Sequence, residues 1–197
     1  MQASSQAPCN REASRSRTSQ PRIGDWMQTF TGLQFWPMDP RPEDITVMDI
    51  AHSLAHQCRF AGHCTRFYSV AEHSVIASLL VPEEDRKWAL LHDATEAYLV
   101  DLPRPVKKHS AIGEHYKVAE RRLMVAICQR FGLDPVEPAS VKKADNVMLM
   151  TEKRDLMPNS PAKWAETEEP CKFTLPDWGP VRAKEMFLRR AEKLGVR

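Results

Sequence analysis

The sequence predicts a mainly α-helical chain, six or so helices with one small N-terminal β-hairpin. Three observations predict it. Apolar residues recur at helical spacing in successive segments. Fifteen prolines, a high count for a helical chain, mark the loops between those segments. Only Trp26 to Trp36 alternates bulky residues around a turn, at Thr31-Gly32, as a hairpin requires.

Residues 1–22 are Ser-, Gln- and Arg-rich with almost no apolar side chains. Such a segment cannot bury enough surface to offset its ordering entropy, so disorder is expected. A transit peptide is the alternative, but no amphipathic helix supports it. Residues 23–197 suit one domain with a sizeable core. After the hairpin, Pro37, Pro40 and Pro42 interrupt the chain. From Asp44, the residues Ile45, Val47, Met48, Ile50, Leu54 and Ala55 form a helical stripe that stops near Cys58. Ser69-Val70-Ala71-Glu72 is a capping-box signature, opening a helix to about Leu80. Acidic Glu83, Glu84 and Asp85 suit the positive N-terminal end of the next helix. That helix runs through His92 and Asp93 and ends before Pro103. Residues 101–108 read as a loop. A long helix follows from about Ile112 to Phe131, with Gly132 as its C-terminal cap. Another spans about Pro138 to Leu156. Residues 158–176 read as loop, and Pro180 opens a final amphipathic helix to about Leu194. No internal repeat is present.

A formal net charge of +2 gives no broad basic excess for duplex nucleic acid. No apolar run approaches the ~20 residues needed to span a bilayer. Five cysteines, Cys9, Cys58, Cys64, Cys128 and Cys171, form no CxxC pair. With no signal peptide recognised, free thiols and a cytoplasmic location are expected.

The chemistry concentrates in residues 89–103, where His92, Asp93, Glu96 and Asp101 share one apolar stretch. His92 and Glu96 are i and i+4, and Asp93 and Glu96 are i and i+3, so both pairs share a helix face. Burying these groups requires compensation, and a divalent cation supplies it. His73, His92, Asp93 and Asp145 form a candidate ligand set of two imidazoles and two carboxylates. It suits Zn, Mn, Co or Fe, and Mg less well. Taken singly, a helical histidine such as His73 is more often a hydrogen-bonded core residue, and Asp145 reads as a solvent-facing carboxylate. A competing set is His52 and His56, i and i+4, followed by His63 and Cys64. No HExxH accompanies it, so metalloprotease chemistry has no support. His109 and His115 read as solvated. Arg104 to Lys108 reads as a solvated loop that could also guide a phosphate.

Five ordered blocks carry a resemblance. They are Cys58-Arg59-Phe60-Ala61-Gly62-His63, Ser69-Val70-Ala71-Glu72-His73-Ser74, His92-Asp93-Ala94-Thr95-Glu96, Asp101-Leu102-Pro103-Arg104-Pro105-Val106-Lys107 and Lys143-Ala144-Asp145. Across roughly Asp49 to Leu156 the chain resembles the HD-domain metal-dependent phosphohydrolases. It looks nearest to the small bacterial 5′-deoxynucleotidases and their phage and prophage relatives, which include a dATP triphosphohydrolase. The resemblance implies an all-α HD-domain fold, one divalent ion on His73, His92, Asp93 and Asp145, and a homodimer or higher homo-oligomer. It implies Glu96 as acid/base or water-positioning residue, Asp101 as a second catalytic or sugar-contacting carboxylate, and Arg59 as the phosphate ligand. Phe60 stands where the deoxynucleotidases typically carry Trp, which keeps an aromatic platform without an indole N–H. Lys107 joins the substrate-binding set.

The branch that hydrolyses guanosine tetraphosphate carries a Glu-Asp pair where this chain has Thr95-Glu96-Ala97. The Gly-Tyr-Pro motif of the cyclic-dinucleotide branch is absent. The expected activity is hydrolysis of deoxynucleoside monophosphates to nucleoside and phosphate. The alternatives are release of triphosphate from a dNTP, with Arg66, Arg104, Lys107 and Lys108 as candidate extra cations, and a nucleotide sensor that binds without turnover.

Overall fold

Helices fill the computed structural model, which describes residues 21–162, 164–165 and 167–197. Most of the expected disordered segment, 1–20, lies outside the described residues. Its last residue, Arg22, is tied down by an ion pair with Asp44, a hydrogen bond to the Asp39 carbonyl and a stack on Trp36.

The hairpin is present as strands β1 (Met27–Gln28) and β2 (Gln34–Phe35), paired antiparallel with Met27 opposite Phe35. Phe35 is its buried anchor and stacks on Tyr98 at 4.0 Å. Helix α1 spans Val47–His56, later than the stripe suggests, because Asp44 belongs to a preceding 3-10 turn, Pro42–Asp44. Thr46 caps α1 by accepting from the Asp49 N–H at 3.1 Å.

Helix α2 spans Val70–Ala77, shorter than expected, and Ser69 caps it by accepting from the Glu72 N–H at 3.1 Å. All eight residues of α2 are buried. It is the central helix of the molecule, packed on α1, on the helix that follows it and on two C-terminal helices. Full burial obliges its polar side chains to find partners inside the protein. Ser74 donates to the Val70 carbonyl at 2.9 Å, and Ser78, just beyond the helix, to the Val75 carbonyl at 2.6 Å.

The expected single helix through His92 is broken. Helix α3 (Arg86–Leu91) and helix α4 (Glu96–Leu99) flank a turn at residues 92–95. The Ala94 and Glu96 N–H groups bond three residues back, to Leu91 and Asp93, so the turn is wound tighter than an α-helix. Residues 104–108, expected as loop, belong to a short helix α5 (Arg104–His109). Pro105 sits in its first turn, where a missing N–H costs nothing, and Lys107, Lys108 and His109 meet the negative C-terminal end.

Helix α6 (Ala111–Phe131) ends on Gly132, whose φ of 68° is the left-handed cap expected. Helix α7 (Ala139–Leu156) and helix α8 (Gly179–Lys193) complete the order. Between them, residues 171–178 are lashed down by Arg154, which donates to the Cys171 and Phe173 carbonyls, and by Arg66, which donates to those of Leu175 and Pro176.

One main core joins Phe35, Ile50, Leu54, Val75, Leu90, Leu91, Leu123, Ile127 and Phe187. Each such side chain stabilises the fold by roughly 1.5–3 kcal/mol on burial. That packing fixes α2, α3 and α4 against each other, and with them the side chains of the site below. Among the described residues, no helix is long and apolar enough to cross a membrane.

Candidate metal and phosphate site

His73 comes from buried α2, His92 and Asp93 from the tight turn after α3, and Asp145 from α7. His92, Asp93 and Asp145 line one cleft with His73 buried behind them; His73, His92 and Asp93 draw together as one group, and Asp145 stands beside it. The two imidazoles face each other, Nε2 to Nε2, at 3.1 Å. Asp93 Oδ2 lies 3.2 Å from His92 Nε2 and 3.6 Å from His73 Nε2. Asp145 Oδ1 lies 3.6 Å from His73 Nε2.

The far nitrogens decide the chemistry. His92 Nδ1 sits 2.7 Å from the Ala89 carbonyl, which can only accept, so Nδ1 carries the proton. His73 Nδ1 sits 2.6 Å from Glu152 Oε1, which assigns its proton in the same way. With both Nδ1 atoms committed to acceptors, the two Nε2 atoms face each other and need a proton or an ion between them. Two lone pairs at 3.1 Å repel unless positive charge lies with them. Ligands about 2.1 Å from one ion are roughly 3.0–3.4 Å apart, close to the spacing found here. His73, His92 and Asp93 could hold a metal ion.

The electrostatics state the same demand for positive charge. Burial alone would lower the His92 pKa, but the adjacent Asp93 carboxylate overrides it and raises it to about 9. Burial acts against the charge on Asp93 too, yet His92, His73 and Arg59 hold its pKa well below the usual carboxylate range. Asp145 is held at about 2 against burial by the two histidines.

Beside this group sits Arg59, whose side chain is 12% exposed. Its guanidinium reaches Glu152 Oε2 at 3.2 Å and Asp93 Oδ2 at 3.4 Å. The next two residues, Phe60 and Ala61, both have left-handed backbone, with φ of 55° and 51°. Non-glycine residues adopt it at a cost of about 1 kcal/mol or more each, and such strain gathers at functional sites. Phe60 lies under the Arg59 guanidinium at 5.5 Å and tilts toward Trp164, with ring centroids 6.1 Å apart.

Glu96 and Asp101 flank a third strained residue, Val100, at φ 66°. Tyr116 holds Val100 by donating to its carbonyl at 2.5 Å, and Gln57 accepts from the Asp101 N–H at 3.3 Å. Burial, with Asp93 and Asp101 nearby, pushes the Glu96 pKa well up, and its Oε2 has no hydrogen-bond partner. Asp101 is raised by burial as well, against the pull of Arg59.

The cleft encloses about 1320 Å³ and is lined by Arg59, Phe60, His92, Asp93, Glu96, Asp101, Lys107 and Asp145, among others. Lys107 is ion-paired with Glu120 and lies 5.2 Å from the Tyr116 ring. Helix α5 forms one wall. It is seated close against α6, where a Cβ at Gly113 would stand 2.3 Å from the Lys107 carbonyl oxygen. Arg66 is turned away and serves the 175–177 segment. Among the described residues the competing set does not assemble. His52 and His56 stack on each other and on Phe30, while His63 lies at the cleft wall.

No protein-family model matches the chain. Two relatives do. The uncharacterized protein YfdR of Escherichia coli (strain K12) is 41% identical over 172 residues, covering 86% of this chain and 95% of its own. The chain belongs to the YfdR family. A second relative, an uncharacterized protein of Rhodobacter capsulatus, is 37% identical over 177 residues, 83% of this chain and 86% of its own.

Sequence reasoning missed two residues of this candidate site. Glu152, fully buried, links His73 to Arg59. Its signal was its position seven residues after Asp145, two helical turns along the same face of α7. Trp164, in the segment read as plain loop, lines the cleft beside Phe60. No local pattern marks it.

Proposed function

We propose that this protein is a metal-dependent phosphohydrolase of deoxynucleotides, acting first on deoxynucleoside 5′-monophosphates. One observation carries the reading. The Nε2 atoms of His73 and His92 and the Asp93 carboxylate lie within 3.6 Å of one another, and the largely buried Arg59 stands beside them. The resemblance to HD-domain phosphohydrolases supplies the deoxynucleotide.

In this reading His73, His92, Asp93 and Asp145 would hold one divalent ion. Such an ion acidifies water and neutralises charge on a phosphoryl oxygen. The protein's own groups do the rest. Arg59 offers a planar fork of donors to the phosphate. Its conformation is fixed in advance by Glu152, so little entropy is lost on binding. Glu96, kept protonated by burial, holds a proton at the edge of the site for the departing 5′ oxygen. Asp101 faces the sugar from the strained turn at Val100. Phe60 and Trp164 form an aromatic corner for the base.

Release of triphosphate from a dNTP is the second reading, favoured by the cations along the cleft. Arg104, Lys107, Lys108, Lys117, Arg121 and Lys142 all line it. The monophosphate comes first because most of this charge is already engaged. Lys107 pairs with Glu120, Lys117 with Glu114, Lys142 with Asp145, and Arg104 lies 4.0 Å from Asp145. Chromatography of products decides. With Mn²⁺, Co²⁺ or Mg²⁺, dAMP should give nucleoside and phosphate while AMP gives little. Triphosphate from dATP with dAMP untouched would reverse the order. No product from any of the three would favour a sensor.

A further inference from the structure

Glu152 is a fully buried carboxylate with a different partner on each oxygen. Oε1 accepts from His73 Nδ1 at 2.6 Å, and Oε2 accepts from Arg59 Nε at 3.2 Å. Both oxygens are needed, because each faces a donor. The two partners belong to different tasks: His73 faces the candidate metal position, and Arg59 faces the cleft.

We propose that Glu152 is a positioning residue that makes metal binding and phosphate binding depend on one another, by holding His73 with one oxygen and Arg59 with the other. The phosphate half rests on the phosphohydrolase reading above. The His73 half does not. A carboxylate on the far nitrogen of a metal-binding histidine fixes its tautomer and makes the near nitrogen a better donor. The same carboxylate neutralises a guanidinium that would otherwise stand beside a divalent cation with only Asp93 between them. Removing it turns Arg59 from a phosphate ligand into a competitor for the metal's carboxylate.

Glu152→Gln gives a sharp test, because glutamine has one acceptor oxygen and one donor NH₂. Whichever way the amide turns, one of the two donors meets another donor. Titration of the metal-free protein with Mn²⁺, followed by the electron paramagnetic resonance of free Mn²⁺, should show affinity reduced about 10–100-fold. At saturating Mn²⁺, KM for dAMP should rise about tenfold while kcat stays within about threefold, as expected when uniform binding is lost. Mn²⁺ affinity and KM both within twofold of wild type would overturn the proposal.

A second measurement needs no variant. In metal-free wild-type protein, the ¹⁵N resonances of His73 should show Nδ1 protonated, and a neutral Nε2–H tautomer would overturn the proposal. Wild-type protein that binds Mn²⁺ but hydrolyses no nucleotide overturns the phosphohydrolase reading alone. The Mn²⁺ titration of the variant then still decides the His73 half.

Discussion

Among the described residues two histidine pairs form, and they have opposite surroundings. His52 and His56, one turn apart on α1, stack ring on ring at 4.2 Å, and Phe30 covers His52 at 3.6 Å. Lys184 sits 3.4 Å from His52 Nδ1 and 4.1 Å from the Phe30 centroid. Burial, His56 and Lys184 lower the His52 pKa. His73 and His92 come from separate elements, meet edge to edge, and have Asp93 and Asp145 beside them. The His92 pKa goes up, not down. Spacing along a helix therefore did not select the candidate ligand pair. The sign of the neighbouring charge did, together with acceptors at both Nδ1 atoms that turn both Nε2 atoms inward.

The strongest way to break this contrast is to remove the negative charge. Asp93→Ala should abolish detectable Mn²⁺ binding and lower turnover at least a thousandfold, read by Mn²⁺ titration and by phosphate release. Wild-type metal affinity in that variant would show that the His73–His92 pair holds no ion. Next in size is Glu96→Gln. It keeps the shape and removes the transferable proton, so kcat should fall about 10²–10⁴-fold with Mn²⁺ affinity unchanged. A full rate would remove Glu96 from the chemistry and leave the ligand set intact.

A buried carboxylate on α2 sharpens the same point from the other side. Glu72 neighbours His73 in sequence and is fully buried, yet both its oxygens lack a hydrogen-bond partner. Burial raises its pKa from 4.5 to about 7, with Arg66 opposing. The folded value is above the unfolded one, so its contribution to stability is fully present below pH 4.5 and is lost as pH rises through about 7. That loss is on the order of 3 kcal/mol. Glu72→Gln should match wild type near pH 4 and exceed it in stability near pH 8, as measured by urea unfolding. Equal stability at pH 8 would show that Glu72 is ionised at little cost. Glu152, by contrast, meets a donor on each oxygen.

What the sequence revealed follows from how local each signal is. Ser69 and Gly132 act within one helical turn, and both cap their helices, although Glu72 makes no return bond to complete the capping box. The hairpin turn at Thr31-Gly32 is equally local, with the Gly32 N–H bonded to the Thr29 carbonyl at 3.0 Å. The break at residues 92–95 was hidden because a tight turn and an α-helix keep apolar residues on nearly the same face. Helix α5 was hidden by Pro103 before it, Pro105 within it and its charge, which suit a loop as well as a first turn. Convergence of His73, His92, Asp93 and Asp145 needs contacts between α2, α3 and α7, which no periodicity encodes. Glu152 sits in the run Glu152-Lys153-Arg154-Asp155, which reads as a solvated face until its register with Asp145 is counted. Phe60 and Ala61 carry no sign of their left-handed backbone, because glycine is the residue that announces it.

The smallest expected effect tests the other histidine pair. His56→Ala removes one ring from the stack over His52 but takes nothing from the cleft. An aromatic contact of this kind is worth about 0.5–1.5 kcal/mol, and His56 is exposed, so the lower end applies. The loss should appear as a small drop in urea midpoint, with Mn²⁺ affinity and turnover unchanged. His52→Ala should cost more, because it uncouples Phe30 from α1 and leaves Lys184 stacked on Phe30 alone. A change in Mn²⁺ affinity in either variant would mean that the competing set at His52, His56, His63 and Cys64 contributes to metal binding. The division between a positively surrounded pair and a negatively surrounded one would then fail. The cation held above Phe30 by Lys184 is the reason to expect that it holds, since a second positive charge there would meet repulsion from the first.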